Sequence, residues 1–401
     1  MLCLAAACTG VEVPRLASDP TQPEITIALA TAAPAVDLGG GDALLLTDDR
    51  GEPLLEVPVG TVARAIVVGD QVSLRVRGIA AGAAARVQVV PVDSAGTVRV
   101  RGRDYHGRVV VAPATAGLLV VNRVGIEPYL AGVIGPEMGR RLPGEEAALR
   151  AQAIASRTFA IRALGRLRTQ GYDLVATMAD QVYGGVAAET PMSLEAVRST
   201  RGAILTWSGQ PIDAFFHSTC GGRTAAGEEV FANGSRPYLR SIPDVDRDGR
   251  AWCAASPRFR WTERWSEPRL RATLRATLPP LGVDAGSVTE VRDVAATDHT
   301  PSGRVSGLSI RFNAATVPVT GAPAIRQALQ PVVGQLLRST SFRVLVSRTG
   351  GQLGELTLQG QGSGHGVGLC QWGAIGRARA GQTAEQILAA YFPGALLERR
   401  W

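Results

Sequence analysis

The chain has 401 residues, of which 45% are hydrophobic and 19% charged, a composition typical of globular proteins. Its formal net charge is +7, and arginine supplies the positive charge because the sequence contains no lysine. The sequence has no apolar run of the roughly 18 residues that a membrane span needs, which argues against a transmembrane helix. It also has no arginine-rich block, which argues against nucleic acid as a partner.

The chain begins with a short apolar stretch that resembles the end of a lipoprotein signal peptide. Small residues stand directly before Cys8, where such proteins carry their lipid. A basic stretch and a full-length apolar core are missing, so a frayed terminus is the alternative. Residues 11–24 contain three prolines and few large apolar side chains. We interpret residues 1–24 as a signal remnant and tether.

Residues 25–121 predict antiparallel β structure, because short runs of alternating apolar and polar residues are separated by glycine-rich turns. After them, an apolar and strand-like run ends at Glu137. A carboxyl group in an apolar setting is expected to have a raised pKa, which a general acid needs near neutral pH. The alternative is an ordinary glutamate at the start of a helix.

Residues 145–164 lack glycine and proline and are rich in alanine, which predicts a strong helix with acidic residues in its first turn. Apolar or small residues lie on nearly every side, so this helix is expected to be buried. Its polar members Gln152 and Arg157 must then find partners or face a cleft. A second helix is predicted over residues 191–200, with Thr190 as its N-cap.

Two short polar segments follow in chain order. Residues 180–185 contain Tyr183, which can hydrogen-bond a sugar, although a glycine turn explains the segment equally well. Residues 215–222 begin at the end of a strand predicted over residues 211–217 and contain His217, Ser218 and Cys220. A serine or cysteine nucleophile with a histidine base is one interpretation of this second segment, and a turn whose hydroxyls satisfy the backbone is the other.

Further along, residues 258–277 predict a strand and an arginine-rich helix, residues 288–319 predict β structure, and residues 324–338 predict a helix interrupted at Pro331. Residues 384–392 predict a last helix with a capping box formed by Thr383 and Gln386.

Glycine recurs at every second position from residue 360 to 368, around His365 and shortly before Gln371. In an extended chain these glycines would share one bare face, which a flat ligand such as a sugar ring, or another strand, would approach closely.

Three cysteines follow the N-terminal pair. If the protein is exported, a disulfide between Cys220 and Cys253 is expected, with Cys370 left over. The spacing does not match that of a paired zinc site, so no metal is predicted from spacing alone.

The segments that carry a family resemblance are YLAGVIGPEM, EEAALRAQAIASRTFA, DQVYGG, FFHSTCGGRT, RPYLRSIPD, SGRV, LLRSTSF, GSGHGVGLCQWGAIGRARAG and ILAAYFPG. In this order they resemble the family of stage II sporulation protein D and the amidase enhancer LytB, over roughly residues 25–395.

The resemblance implies a lytic transglycosylase of peptidoglycan that needs no cofactor. Such an enzyme cleaves between N-acetylmuramic acid and N-acetylglucosamine without water and leaves a 1,6-anhydro end, and the sporulation members favour glycan stripped of its peptides. Glu137 corresponds to the family's catalytic glutamate. By motif position, the residues expected to contact the substrate are Gln152, Arg157, Tyr183, His217, Ser218, His365 and Gln371.

The expected fold is α+β, with a β-rich N-terminal part and mixed antiparallel sheets around the buried alanine-rich helix, and with a central cleft. Its predicted parts, after the tether, are a β-rich region over residues 25–121, the first half of the catalytic core over 122–257, an α/β insertion over 258–345, and the glycine-rich loop with the last helix over 346–401.

The sequence departs from the family at one metal site. Some sporulation members hold zinc with histidine and cysteine just before the Q-x-Y motif, whereas residues 171–180 contain neither, so that site is not expected here. Cys220 and Cys370 lie instead inside two signature segments. Should these face each other, Cys220, Cys253 and Cys370 would cluster as a disulfide or as a different metal site.

Two other functions stay open. One is a peptidoglycan-binding scaffold that activates an amidase and is itself inactive. The other is a hydrolase that uses Cys220 or Ser218 with His217 or His365. In each case we expect an exported protein of the periplasm or cell envelope. Its partners would be glycan strands and an N-acetylmuramoyl-L-alanine amidase, with a lipid on Cys8 as its one membrane contact.

Overall fold

The computed structural model describes residues 21–313 and 315–401, so the lipidation predicted at Cys8 lies outside the described residues. Within these residues the chain forms 7 helices and 24 strands in mixed and antiparallel sheets. The predicted α+β class, rich in β structure, is confirmed. None of the described helices combines the length and the apolar character that crossing a membrane requires.

The helices and strands alternate in blocks along the chain. The α-helices are α1 Ile126–Met138, α2 Glu146–Ala163, α3 Pro191–Ser199, α4 Glu267–Thr277, α5 Ala322–Ala328, α6 Gln371–Arg379 and α7 Ala384–Tyr391. The first twelve strands are β1 Glu24–Ala33, β2 Ala35–Gly39, β3 Leu44–Thr47, β4 Pro53–Val57, β5 Ala63–Val68, β6 Gln71–Val76, β7 Ile79–Ala84, β8 Val87–Pro91, β9 Val98–Val100, β10 Arg103–Tyr105, β11 Arg108–Ala114 and β12 Gly117–Gly125.

The remaining strands are shorter on average and more scattered. They are β13 Leu174–Val175, β14 Ala203–Trp207, β15 Gln210–Pro211, β16 Phe216–His217, β17 Arg260–Ser266, β18 Val291–His299, β19 Val305–Phe312, β20 Thr316–Thr320, β21 Phe342–Thr349, β22 Gln352–Gln361, β23 Leu369–Cys370 and β24 Leu396–Arg399.

The chain divides into two compact units. The first contains the described residues up to Arg140 together with Ala160–Ala203 and Arg399–Trp401, and the second contains Arg141–Phe159 and Ile204–Glu398. The domain boundaries inferred from the sequence stay a prediction.

The first unit is built on two sheets, with strand orders β13-β1-β12-β11-β8-β3-β4 and β10-β9-β2-β5-β6-β7. Burial alternates along strands such as β6, where Val72 and Leu74 point inward, so the period-two pattern of the sequence is realised. β12 pairs with β1 and leads straight into α1, with Gly125 as the N-cap. The sheet thereby sets the direction in which α1 leaves its edge.

The prediction of a strand-like run before Glu137 is wrong, since these residues form α1. The helix is buried from Ile126 to Ile134, so apolar residues occur on all its sides and no helical periodicity shows. A short apolar run of this kind fits a buried strand and a buried helix equally well.

In the second unit, one apolar core includes residues from β17 to β22 and from α4 and α5, with Trp265 fully buried in it. Its sheets have the orders β17-β22-β21 and β18-β19-β20. The predicted strand and arginine-rich helix over residues 258–277 are confirmed, and so is the β structure over 288–319. The helix predicted over residues 324–338 is wrong beyond Ala328, because the chain leaves the helix before Pro331.

Three other helices agree with the sequence. The alanine-rich segment forms α2, and Thr190 and Thr383 cap α3 and α7, each through a reciprocal capping box. The strand predicted over residues 211–217 is present only at its two ends, as β15 and β16.

Candidate active site and cysteine cluster

Glu137 is the last residue but one of α1 and is half-buried. Its Oε1 atom accepts a hydrogen bond of 3.0 Å from the backbone N–H of Val182. The helix ends immediately afterwards, because Gly139 adopts a φ of 65° and donates its N–H to the carbonyl of Gly135. The polar segment over residues 180–185 therefore holds the carboxyl group at the C-terminal end of α1.

Two glycines of α1 let that segment approach closely. The N–H of Gly184 donates to the Gly132 carbonyl at 3.0 Å. A Cβ atom on Gly132 would lie 2.6 Å from the Tyr183 ring, and one on Gly135 would lie 2.2 Å from the Ala188 carbonyl oxygen. Both distances are shorter than real Cβ contacts, so side chains here would displace the segment that holds Glu137.

Tyr183 lies in the core instead of facing solvent. Its hydroxyl donates to Asn122 Oδ1 at 3.0 Å, and its ring packs against Tyr105 and Tyr129. Tyr129 in turn donates to Gln181 Oε1 at 2.9 Å. Burial raises the pKa of both Tyr129 and Tyr183 well above its ordinary value. In this structure the two tyrosines support the backbone beside Glu137.

The polar residues predicted to line a cleft from α2 are buried. Gln152 and Arg157 both have no exposed surface. Gln152 Nε2 donates to Ser156 Oγ at 3.0 Å, while its Oε1 is buried without a hydrogen-bond partner. Gln371 is also buried, at the start of α6.

The second unit brings His217, Ser218, His365 and Cys370 to one place, because β16 and β23 pair in parallel with His217 opposite Cys370. His217 Nδ1 donates to the Val367 carbonyl at 3.1 Å, which leaves Nε2 unprotonated, buried and without a partner. Burial lowers the pKa of His217 well below its ordinary value.

His365 is also neutral near pH 7, because burial lowers its pKa to about 4. Its Nδ1 accepts from the Val367 N–H at 3.1 Å, so Nε2 carries the proton and donates to the Phe216 carbonyl at 2.8 Å. Ser218 Oγ contacts Thr219 Oγ1 at 3.3 Å. Neither histidine thus hydrogen-bonds Ser218 or Cys220, and the nucleophile arrangement that the sequence left open is not formed.

The glycine-rich loop is not extended, so the prediction of one bare glycine face is wrong. Only Gly360 belongs to a strand, and the next four alternate glycines adopt φ values of 77°, 103°, 90° and 72°. A Cβ atom on Gly368 would lie 2.1 Å from the Phe215 carbonyl oxygen, and one on Gly366 would lie 2.5 Å from the Arg304 guanidinium. Glycine recurs at every second position because the backbone there repeatedly adopts a positive φ and lies close to neighbouring groups. A side chain would interfere with both.

Cys220, Cys253 and Cys370 converge with Asp244, and all four are buried. Their ligand-type atoms lie within 4.8 Å of one another. Cys220 Sγ is 3.5 Å from Cys253 Sγ and 3.2 Å from Asp244 Oδ2. The expected disulfide between Cys220 and Cys253 is absent, since all three cysteines are free. The sulfur of Cys370 and the carboxylate of Asp244 lie in the same buried space as the two sulfurs that a disulfide would join.

Charged groups that sequence reasoning missed surround this cluster. Arg377 donates from Nη2 to Asp244 Oδ1 at 3.0 Å, and the Tyr391 hydroxyl lies 2.9 Å from both oxygens of Asp244. Arg304 is 3% exposed and donates to the Cys220 carbonyl at 2.9 Å. Asp244 closes the segment RPYLRSIPD and Arg304 lies in SGRV, so the motifs contained both residues without revealing their role.

Hydrogen bonding and burial act in opposite directions on the thiols. Hydrogen bonds from the neighbouring cysteines, and from the backbone of Gly221 and Gly222, lower the pKa of Cys253 to about 3. Burial raises the pKa of Cys220 and of Cys370 well above its ordinary value. The cluster therefore favours negative charge on sulfur, centred on Cys253.

Comparison with known proteins places Glu137 and Cys253 in regions that family models match. A family model described as Stage II sporulation protein matches residues 114–207, which include Glu137, and one described as a domain of unknown function, DUF8618, matches residues 253–368. An uncharacterized protein of Brachyspira hyodysenteriae is 31% identical over 73% of this chain and 72% of its own length.

Two named relatives are also similar. Stage II sporulation protein D of Bacillus amyloliquefaciens is 30% identical over 68% of this chain and 74% of its own length. The amidase enhancer of Bacillus subtilis is 26% identical over 67% of this chain, and the match covers 40% of that protein.

Proposed function

Because the chain belongs to the stage II sporulation protein D family, we propose that it is a lytic transglycosylase of peptidoglycan, with Glu137 as its acid and then its base. The substrate would be glycan strands, in particular strands stripped of stem peptides. The bond cleaved would join N-acetylmuramic acid to N-acetylglucosamine.

One carboxyl group suffices for this reaction. Protonated Glu137 gives its proton to the glycosidic oxygen as the bond to the muramic acid carbon breaks. The 6-hydroxyl of the same sugar then attacks the oxocarbenium-like centre and closes the 1,6-anhydro ring, and the ionised Glu137 takes the hydroxyl proton. A hydrolysing glycosidase needs a second carboxylate to place water or to attack, and here the internal hydroxyl replaces it.

The observation that carries the proposal is the placement of Glu137. It lies within the matched region, it is half-buried, and one of its oxygens is fixed by the Val182 N–H. An acid and base needs both partial exposure and a fixed orientation, because the proton must travel to and from one atom of the substrate.

Location and partners follow from the same proposal. A peptidoglycan substrate requires export to the cell envelope, where Cys8 would carry the lipid anchor. An N-acetylmuramoyl-L-alanine amidase would act alongside, since it removes the stem peptides from the preferred glycan.

The test is digestion of purified glycan strands, with and without stem peptides, by the wild type and by Glu137→Gln. We expect anhydro-ended fragments from the wild type and a rate at least about a hundredfold lower from the variant. The matched control is Glu195→Gln. Glu195 is an exposed glutamate of α3, and its described ion pair is with Arg198. Products with ordinary reducing ends, or full activity in Glu137→Gln, would contradict the proposal.

A second function is favoured by one observation. The chain is similar to a protein named amidase enhancer. The chain would then bind glycan without cutting it and stimulate an amidase. Binding of glycan by both the wild type and Glu137→Gln, without cleavage by either, would establish this function instead.

A further inference from the structure

The cysteine cluster has the dimensions of a site for a single metal ion. A tetrahedral zinc ion with bonds of about 2.3 Å to sulfur separates its sulfur ligands by about 3.8 Å. Here Cys220 Sγ and Cys253 Sγ lie 3.5 Å apart, and the four ligand-type atoms all lie within 4.8 Å of one another. Thiolates and a carboxylate are among the ligands that zinc takes in proteins.

Three segments distant in sequence supply these ligands. Cys220 follows β16, Asp244 and Cys253 flank the turn over residues 245–252, and Cys370 is the N-cap of α6. All four side chains are buried, so they form a closed set of four protein ligands around an ion placed between them. A closed set of four protein ligands is the mark of a structural zinc site, whereas a catalytic site keeps one position open.

Backbone N–H groups point at two of the sulfur atoms and donate hydrogen bonds to them. Cys370 Sγ accepts from the N–H groups of Cys220 at 3.2 Å and Gly373 at 3.3 Å, and Cys220 Sγ accepts from the Gly222 N–H at 3.3 Å. Such hydrogen bonds stabilise charge on sulfur and orient it toward a metal.

Cationic groups also face the cluster. Arg304 is buried and donates from Nη2 to the Cys220 carbonyl at 2.9 Å. Arg377 bonds to Asp244 on the other side. Three thiolates and a carboxylate around one divalent ion leave two negative charges, and a buried charge of that size needs cations close by.

We propose that Cys220, Asp244, Cys253 and Cys370 bind one zinc ion, which fixes the β16 end, the turn before Cys253 and the start of α6 to one another. The thiol protons leave to water as the metal binds, and no group changes its oxidation state. A disulfide would use two of the cysteines and leave the third thiol buried beside it.

The test is the metal content of the full chain, produced with zinc sulfate and purified under reducing conditions. We expect one zinc per chain by inductively coupled plasma mass spectrometry. The variants Cys220→Ser, Cys253→Ser and Cys370→Ser should each lose most of it, whereas Glu195→Gln, which changes an exposed residue of α3 outside the cluster, should retain it. These readouts do not depend on glycan cleavage.

A second measurement needs no variant and therefore covers the case in which the serine variants fail to fold. Exchange of the ion for cobalt(II) in the wild type should give a thiolate-to-cobalt charge-transfer band and the visible bands of a tetrahedral site. The inference is overturned if the reduced wild type takes up neither zinc nor cobalt. Alkylation and mass measurement would then distinguish three free thiols from a Cys220–Cys253 disulfide.

Discussion

The surroundings of Glu137 and the cysteine cluster illustrate two opposite ways of holding a reactive group. Glu137 is half-buried, the Val182 N–H holds one of its oxygens, and close-packed glycines of α1 let the segment that carries Val182 approach. The cluster is fully buried and is surrounded by arginines and a carboxylate. Close packing thus positions the segment beside Glu137, whereas charged groups surround the cluster, so different substitutions should disrupt the two sites.

Removal of one positive charge beside the cysteine cluster should give the largest loss of folding stability. In Arg377→Met, the carboxylate of Asp244, which has no exposed surface, loses its guanidinium partner. We expect the free energy of unfolding to fall by about 3–5 kcal/mol, the usual result of leaving a buried charge unpaired. Chemical denaturation measures it. Arg198→Met is the control, because it breaks the exposed pair with Glu195 and should cost at most about 0.5 kcal/mol. Equal losses of unfolding free energy in Arg377→Met and Arg198→Met would contradict the importance of charge beside the cluster.

Adding one methyl group should harm the Glu137 site through shape alone. In Gly135→Ala the new Cβ would lie 2.2 Å from the backbone oxygen of Ala188, so α1 or the turn beside it must move. We expect a loss of about 2–3 kcal/mol in unfolding free energy. Gly41→Ala is the control, since nothing lies within 4 Å of its added Cβ. If Gly135→Ala stabilises the protein, as alanine does in an open helix, the close packing is refuted.

Acid should weaken the second unit through His365. Its pKa in the folded protein is about 4, against about 6.5 in an unfolded chain, so between these values only the unfolded chain takes up the proton. Stability should be unaffected by this group above about pH 6.5 and should fall by about 3 kcal/mol on going down to pH 4. The measurement is the difference between the pH profiles of the wild type and His365→Asn. Parallel profiles would refute a neutral His365 imidazole in the folded protein.

The smallest expected loss of stability is at Tyr183. It tests whether the Tyr183 hydroxyl supports the core or contacts the substrate. Tyr183→Phe removes the donor to Asn122, which is buried, and should cost about 1–2 kcal/mol in unfolding free energy. Tyr172→Phe should cost less, because its partner Gln170 is exposed and can bond to water. If glycan cleavage is measurable, KM should stay unchanged in Tyr183→Phe. A severalfold rise in KM with unchanged stability would return Tyr183 to the substrate-binding role expected from its motif.

The parts of the fold that depend on local chemistry were predictable. The alanine-rich composition of α2 and the capping threonines Thr190 and Thr383 act within a few residues, so their effect is visible in the sequence. Strand alternation in the first unit is equally local. By contrast, α1 carries no helical period because it is buried on every side, and its two glycines, which argue against a helix, are required by the segment packed on it.

The candidate sites were predictable only in part. A motif located Glu137, but its contact with Val182 depends on how residues 180–185 fold back onto α1. The cysteines could be recognised one by one, while their meeting with Asp244 depends on parallel pairing between β16 and β23. The burial of Gln152, Arg157 and Gln371 follows from packing that no motif encodes.

The pairing of β16 with β23 also has a consequence for the order of folding. Cys220 and Cys370 meet across 150 residues of chain, and the loop that leads to Cys370 is rich in glycine, which loses the most conformational freedom when it becomes ordered. Contacts of such long range form late. A newly made chain therefore presents Cys220 and Cys253 to solvent well before Cys370 arrives, and in that interval the two thiols are open to oxidation with the wrong partner.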